Sequence, residues 1–284
     1  MVVCAPMSAR DFRVMLEARW SEGKFLCVGL DSDLAKIPES VRKEDTRQTL
    51  VAFNRAIIDA TKDLVCAFKL NSAFYEAHGD EGLAALRETI GYISEIMPEV
   101  PVILDAKRGD IGNTNEQYAY ATFKHLRADA VTVSPYLGGE PLEAFFKYAD
   151  KGVIVLCHTS NEGAKEVQQL SVDGEPLYKV VARLAAEKWN KHGNCCLLVG
   201  ATYPEALGEV RAIVGEMPIL IAGIGAQDGD LHATIKQGIS SKGRGLIVNA
   251  ARSIIFASQD HNFAKAARGK AQELHDAITK ALIQ

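Results

Sequence analysis

The sequence predicts an α/β protein: a (β/α)8 TIM barrel built as a single domain over residues 1–284. Three observations lead there. Short apolar runs rich in β-branched residues recur eight times along the chain. The runs are apolar throughout instead of alternating, which implies burial on both faces and hence a parallel sheet. Most are followed by a polar or Gly-rich turn and a stretch of helical period, and eight such units fit the ~250 residues typical of a closed barrel. A doubly wound open sheet would need a pair of edge strands of weaker apolar character. No clear pair is present.

The strand candidates are FLCVGLD (25–31), VCAFKL (65–70), PVILDAK (101–107), DAVTVS (129–134), GVIVLCH (152–158), CCLLVGA (195–201), PILIAG (218–223) and GLIVNA (245–250). Between them lie helical faces with apolar steps of three and four. One comprises Leu50, Phe53, Ile57 and Ala60; another Leu83, Leu86, Ile90, Ile93 and Met97; a third Leu177, Val180, Leu184 and Ala185. The stretch from Phe263 through Ala267, Leu274 and Ile278 to Leu282 reads as a closing helix. No composition break divides the chain.

Composition narrows the function classes. The chain is 48% hydrophobic and 24% charged, with 32 Lys+Arg against 36 Asp+Glu, a net charge of −4. That mixture excludes disorder and coiled coil. A mildly acidic balance without a Lys/Arg run argues against nucleic acid or a membrane surface as partner. No apolar stretch approaches the ~18 residues of a membrane span, and the first residues do not read as a signal peptide, so a cytoplasmic protein is expected. The cysteines Cys4, Cys27, Cys66, Cys157, Cys195 and Cys196 lack zinc or disulfide spacing and read as reduced structural thiols.

Charges in strands need a reason, because an unpaired buried charge costs several kcal/mol or more. Asp31 ends the first run, Lys69 sits near the end of the second, and Asp105 and Lys107 end the third. The C-terminal strand ends form the active-site face of such a barrel. Asp105 and Lys107 are two apart, so strand alternation turns them to one face, with Lys69 beside them on the neighbouring strand. A lone Asp–Lys pair would read as a structural salt bridge; two lysines with several carboxylates on one rim read as a functional cluster.

A second constellation, AGIGAQDGD (222–230), follows the seventh run. It lacks the third glycine of a dinucleotide fingerprint, but glycines there let backbone N–H groups approach a phosphate, and barrel phosphate sites use the loops after strands seven and eight. The loop after strand eight adds Arg252 in NAARSI, a cation able to grip phosphate bidentately. His158 is a weaker candidate, more simply a hydrogen-bonded rim residue. Trp20 and Trp189 read as packing residues. No metal-ligand motif is evident, and no metal is expected.

The segment DAKRGDIGNT (105–114), preceded by Val102-Ile103-Leu104, resembles the signature of the orotidine 5′-phosphate decarboxylase family. The resemblance covers nearly the whole chain: VGLD (28–31), AFKLNSAFYE (67–76), GIGAQDGD (223–230) and NAARSI (249–254) fall in family order and spacing. The long segment after His158 is similar to the longer bacterial subfamily. The resemblance implies conversion of orotidine 5′-phosphate to uridine 5′-phosphate and carbon dioxide, the last step of pyrimidine synthesis, without metal or cofactor. It implies Lys107 as proton donor to C6 of the pyrimidine, flanked by Asp105 and Lys69, with Asp110 entering from the other subunit of a homodimer with shared sites. It places Asp31, Lys69 and Thr114 on the ribose, Ser160 on the pyrimidine edge, and Gly225, Gln227 and Arg252 on the phosphate. Two positions depart from the pattern: Ala222 stands where many relatives have proline, and Tyr203 where arginine is common.

Breaking the C6–carboxylate bond leaves an electron pair in the ring plane, which the ring π-system cannot delocalise. Without an organic electron sink, the residues fit electrostatic stabilisation by a fixed ammonium that then delivers a proton. Alternation of Lys69, Asp105, Lys107 and Asp110 would keep both lysines charged. The segments 223–229 and 159–175 are candidate lids over a bound nucleotide. Two rivals differ in testable ways: a magnesium-dependent sugar-phosphate enzyme of the same superfamily would lose activity to EDTA, and a non-catalytic binder would hold nucleotide without turnover.

Overall fold

The computed structural model describes residues 10–224 and 231–283. Eight parallel strands close into a barrel: β1 (Leu26–Gly29), β2 (Val65–Asn71), β3 (Val102–Arg108), β4 (Ala130–Val133), β5 (Gly152–His158), β6 (Cys195–Gly200), β7 (Ile219–Ala222) and β8 (Leu246–Ala250). Each pairs with its chain neighbours, and β8 returns to β1 through Leu26↔Val248 and Val28↔Ala250. The expected barrel and strand order are both present. Strand β1 is shorter than its apolar run, so Asp31 lies just past it.

Helices cover the outside, and polar residues set where several begin. Asp45 accepts from Gln48 N at the start of Thr46–Thr61, and Asp11 from Val14 N at the start of Phe12–Ser21. Leu50, Phe53 and Ile57 face the strands, as do Leu86, Ile90 and Ile93 of helix Gly79–Ile96, with Met97 just past its end. Leu83 does not: it is 44% exposed. The inward position in that first turn is Gly82, where a Cβ would stand 1.9 Å from the Tyr75 carbonyl oxygen, so the helix rests directly on backbone. Helix Leu177–Leu184 likewise buries Tyr178 and Ala182 in place of the expected Leu177, Val180 and Leu184, which are half-buried. The helix then widens into a π turn over Ala185–Trp189. In the closing helix Phe263–Ile283, Phe263, Ala267 and Ile278 are buried.

The connection from β5 to β6 is more ordered than an open loop. It contains a helical turn, Ala164–Val167, and a two-stranded antiparallel hairpin pairing Ser171–Val172 with Glu175–Pro176. Asp173 and Gly174 make its turn with φ of 51° and 87°. Cys27, Cys66, Cys157, Cys195 and Cys196 are free and buried, and burial pushes the Cys27, Cys157 and Cys196 thiols up to about 12. Cys4 lies outside the described residues.

The N-terminal end of the barrel is tied by polar and charged side chains that are buried or nearly so. Asp129 takes Arg10 Nη2 at 2.6 Å and Val102 N at 2.9 Å. Trp20 Nε1 donates to Leu246 O at 2.7 Å. Arg211, on helix Pro204–Val214, donates to Gly238 O (2.7 Å), Met217 O (2.7 Å) and Gly245 O (2.9 Å), and also to Gly215 O. Burial brings its guanidinium down to about 10, still charged at neutral pH. Arg211→Met should leave these carbonyls without a donor and lower unfolding free energy by about 3 kcal/mol. Urea denaturation would register this, with turnover of the folded protein at 25 °C unchanged because the residue lies at the opposite end from the charged cluster.

Candidate active site

The C-terminal strand ends open into a cleft of about 860 Å³ lined by Asp31, Lys69, Asp105, Lys107, Ser160 and Arg252 among others. Six side chains expected from the sequence therefore meet in one place. At its floor the charges alternate in space. Lys69 Nζ lies 3.6 Å from Asp31 Oδ1 and donates to Asp105 Oδ2 at 2.9 Å, and Lys107 Nζ donates to Asp105 Oδ1 at 2.7 Å. Asp105 thus holds one lysine on each oxygen.

Burial decides how these groups titrate. Burial alone would raise the Asp105 carboxyl, but the ammonium groups of Lys69 and Lys107 and their hydrogen bonds outweigh it and hold the group well below the usual carboxylate range. Burial works to lower Lys69, and Asp105 and Asp31 outweigh it, so its ammonium is held above the ordinary lysine value. Lys107 differs, with its side chain 46% exposed at the cleft surface. The four alternating charges differ in burial: Lys69 and Asp105 are buried, Asp110 is half-buried and Lys107 is exposed.

The route to this geometry also differs from plain strand alternation. The β3–β4 register runs Leu104↔Val131 and then Arg108↔Val133, so Asp105, Ala106 and Lys107 oppose the single residue Thr132. Lys107 sits in this bulge with φ of 48°. The bulge turns its side chain back to Asp105.

Along the ends of β5 to β8 the site rests on glycines and one exposed cation. Ser160 follows β5, and its backbone lies so close to Gly200 that a Cβ there would be 2.7 Å from Ser160 N. Gly223, with φ of 95°, passes the Ser160 hydroxyl. Arg252 opens the helical turn Arg252–Ile255 directly after β8, its side chain exposed at the rim. Gly225 and Gln227 lie outside the described residues.

Asp110 and Thr114 do not line this cleft within their own chain. Asp110 Oδ1 accepts from Ile111 N at 2.7 Å, at the entry to helix Gly112–Tyr120, which carries Thr114. His158 also points away from the cleft, wedged between the rings of Tyr178 and Tyr203 at centroid distances of 4.7 and 4.8 Å. Tyr203 therefore packs behind the site, whereas Ala222 lines it.

Two cleft-region residues were not foreseen. Thr132 donates to Asp105 Oδ1 at 2.9 Å. Asn249 on β8 lines the cleft with its Oδ1 buried and without a hydrogen-bond partner among the described residues. Both are polar residues inside apolar runs, DAVTVS and GLIVNA, where a buried polar group, like a buried charge, needs a reason. Among the described residues, no group of three His, Cys, Asp or Glu side chains is arranged to hold a metal ion.

Fold and cleft together define a (β/α)8 barrel with a row of ion pairs at the C-terminal strand ends, the face on which enzymes of this fold carry their active sites. A family model described as orotidine 5′-phosphate decarboxylase / HUMPS family matches residues 24–267. The chain belongs to that family. It is 48% identical over 272 residues to the orotidine 5′-phosphate decarboxylase of Cellvibrio japonicus, covering 95% of this chain and 99% of that one. To the Cupriavidus metallidurans protein of the same name it is 49% identical over 270 residues, covering 95% and 98%. Among solved structures, the Leishmania donovani OMP decarboxylase is 38% identical with a TM-score of 0.84 over 96% of this chain and 99% of that chain. A UMP synthase from the same organism is 39% identical with a TM-score of 0.86, and this chain spans 57% of its length.

Asp105→Asn should destabilise the protein at pH 7 by about 3 kcal/mol, because two lysines lose their shared counter-charge. A carboxyl held below its unfolded value contributes stability that is present above roughly pH 4 and lost as pH falls toward the folded value. The stability gap between wild type and variant should therefore be constant from pH 7 to 5 and shrink below 4 in urea titrations.

Proposed function

We propose that the protein decarboxylates orotidine 5′-phosphate to uridine 5′-phosphate and carbon dioxide, the step that completes UMP synthesis. The observation that carries this reading is the alternating row Asp31–Lys69–Asp105–Lys107 in one cleft with Arg252 at its rim, in a chain of this family. The C6–carboxylate bond breaks, its electron pair stays on C6 in the ring plane, and carbon dioxide leaves. The Lys107 ammonium stabilises that pair and passes one proton to C6, then recovers a proton from solvent. Asp105 keeps the ammonium charged and aimed. Asp31 and Lys69 hold the ribose, and Ser160 meets the pyrimidine edge. Arg252 takes the phosphate, with Gly225 and Gln227, which follow β7 in the sequence, as its partners. That distant binding energy holds the site closed and excludes water.

The working unit in this reading is a homodimer in which Asp110, and with it Thr114, serves the partner's cleft. Support comes from the surface around them: Ile111, Tyr120, Tyr136 and Leu137 are all exposed, Tyr136 at 84%. Helix Gly112–Tyr120 is tied to the loop that follows β4 by Asn115 Nδ2 donating to Pro141 O at 3.0 Å, so these residues share one rim. An apolar patch of this kind marks an interface. Buried free thiols support a reducing compartment, and we assign the protein to the cytoplasm.

Purified protein should convert orotidine 5′-phosphate with equal rates in the presence and absence of EDTA, followed by ultraviolet absorbance. Loss of activity to chelation would point to the magnesium-dependent relatives. Lys107→Ala should abolish turnover while uridine 5′-phosphate still binds in calorimetry; substantial residual decarboxylation would remove Lys107 from its role.

The shared site has its own test. Lys107→Ala and Asp110→Ala chains are each expected to be inactive. Mixed at random, half the dimers are heterodimers and half of their sites are complete, so about a quarter of wild-type activity should return. An inactive mixture, with heterodimers verified by differential tags, would make Asp110 an intrachain residue.

A further inference from the structure

Thr132 lies at the middle of β4 with no exposed surface, in a position where valine would fill the same space. A buried hydroxyl costs free energy unless it is bonded, and this one is bonded twice. Lys107 N donates to Thr132 Oγ1 at 2.9 Å, and Thr132 Oγ1 donates to Asp105 Oδ1 at 2.9 Å. The direction is fixed by valence: a hydroxyl has one proton, and the Lys107 amide is itself a donor, so the proton belongs to the carboxylate. The same Oδ1 receives Lys107 Nζ at 2.7 Å. Main chain and ammonium of one lysine are thus fixed to a single hydroxyl–carboxylate pair.

This matters because of the backbone at Lys107. Its φ of 48° is a left-handed conformation that costs a residue bearing a Cβ about 1 kcal/mol or more. It arises where the β3–β4 ladder is interrupted, three residues of β3 facing Thr132 alone. The ladder resumes one step later, where Ser134 N donates to Arg108 O at 2.7 Å. In the gap the Lys107 N–H takes the threonine side chain as its acceptor. Without that acceptor a return to extended backbone would relieve the strain and swing Nζ off Asp105.

We propose that Thr132 is a positioning residue for the proton donor, its one hydroxyl fixing the strained main chain of Lys107 and the carboxylate that orients the lysine's ammonium. The proposal rests on the reading of Lys107 as proton donor. Thr132 touches neither ribose nor phosphate ligands, so its loss should fall on the chemical step and spare binding.

The test compares wild type, Thr132→Val and Thr132→Ser for kcat and KM with orotidine 5′-phosphate, alongside thermal denaturation. Thr132→Val should lower kcat about 30-fold with KM within about threefold, and Thr132→Ser, which keeps the hydroxyl, should restore most of kcat. Should the valine variant not fold, Thr132→Ala against Thr132→Ser poses the same question. A Thr132→Val enzyme with wild-type kcat, or equal losses for valine and serine, would overturn the proposal, the latter because the methyl group and not the hydroxyl would then matter. Failure of the underlying reading looks different: Lys107→Ala would itself retain turnover. With Lys107→Ala inactive and Thr132→Val fully active, Thr132 alone is wrongly assigned.

Discussion

Everything at the C-terminal end of this barrel depends on the carboxylate of Asp105. It is nearly inaccessible to solvent, and it remains an anion because Lys69, Lys107 and Thr132 each give it a hydrogen bond. The dependence is mutual. Lys69 is buried as well and would not hold its charge without Asp105 and Asp31 beside it. The row is therefore a single electrostatic object: no member can change charge without leaving another uncompensated in a medium that solvates it poorly. Ions that fix one another in this way are preorganised, the condition that electrostatic stabilisation of a developing charge requires.

The barrel was legible in the sequence for a plain reason. Its strands are buried on both faces, so each is a continuous apolar run, and any charge within one stands out against that background. That contrast brings Asp31, Lys69, Asp105 and Lys107 into view and places them at one end. It does not reveal the bulge, because a change of register in β3 leaves no compositional trace: Asp-Ala-Lys reads as ordinary alternation, yet Lys107 reaches Asp105 through a left-handed turn. Thr132 and Asn249 escape notice because threonine is at home in strands and a single asparagine is a mild exception. Helix faces are less legible than strands. Leu83 falls outside its stripe because Gly82, lacking a side chain, is the residue that touches the layer below. Asp110 and Thr114 do not line the cleft of their own chain, and the second copy proposed to receive them is something no pattern within one chain can display.

The two ends of the barrel use charge in different ways. At the N-terminal end, Arg211 is buried against backbone carbonyls and Asp129 joins the Arg10 guanidinium to the Val102 amide, so that each ion locks chain segments distant in sequence. At the C-terminal end, ions face ions, and an exposed Lys107 and Arg252 leave donor capacity directed into open space. The first arrangement is satisfied internally. The second leaves two cations facing the cleft.

The connection between β5 and β6 runs from Thr159 to Asn194, and yet the two strands pair directly, Val153 with Cys195 and Leu156 with Leu198. None of those ladder contacts uses the helical turn or the hairpin at 171–176. Closing a longer loop costs only about 0.6 kcal/mol for each doubling of its length. Evolution can therefore lengthen, trim or replace this arm while the barrel's register stays as it is. The arm also supplies Thr159, Ser160, Asn161 and Gln168 to the cleft wall, so a part of the chain open to insertion and deletion is one that borders the cleft. Divergence among relatives of this fold has a natural place to accumulate: it can reshape access to the site without touching the ions on its floor.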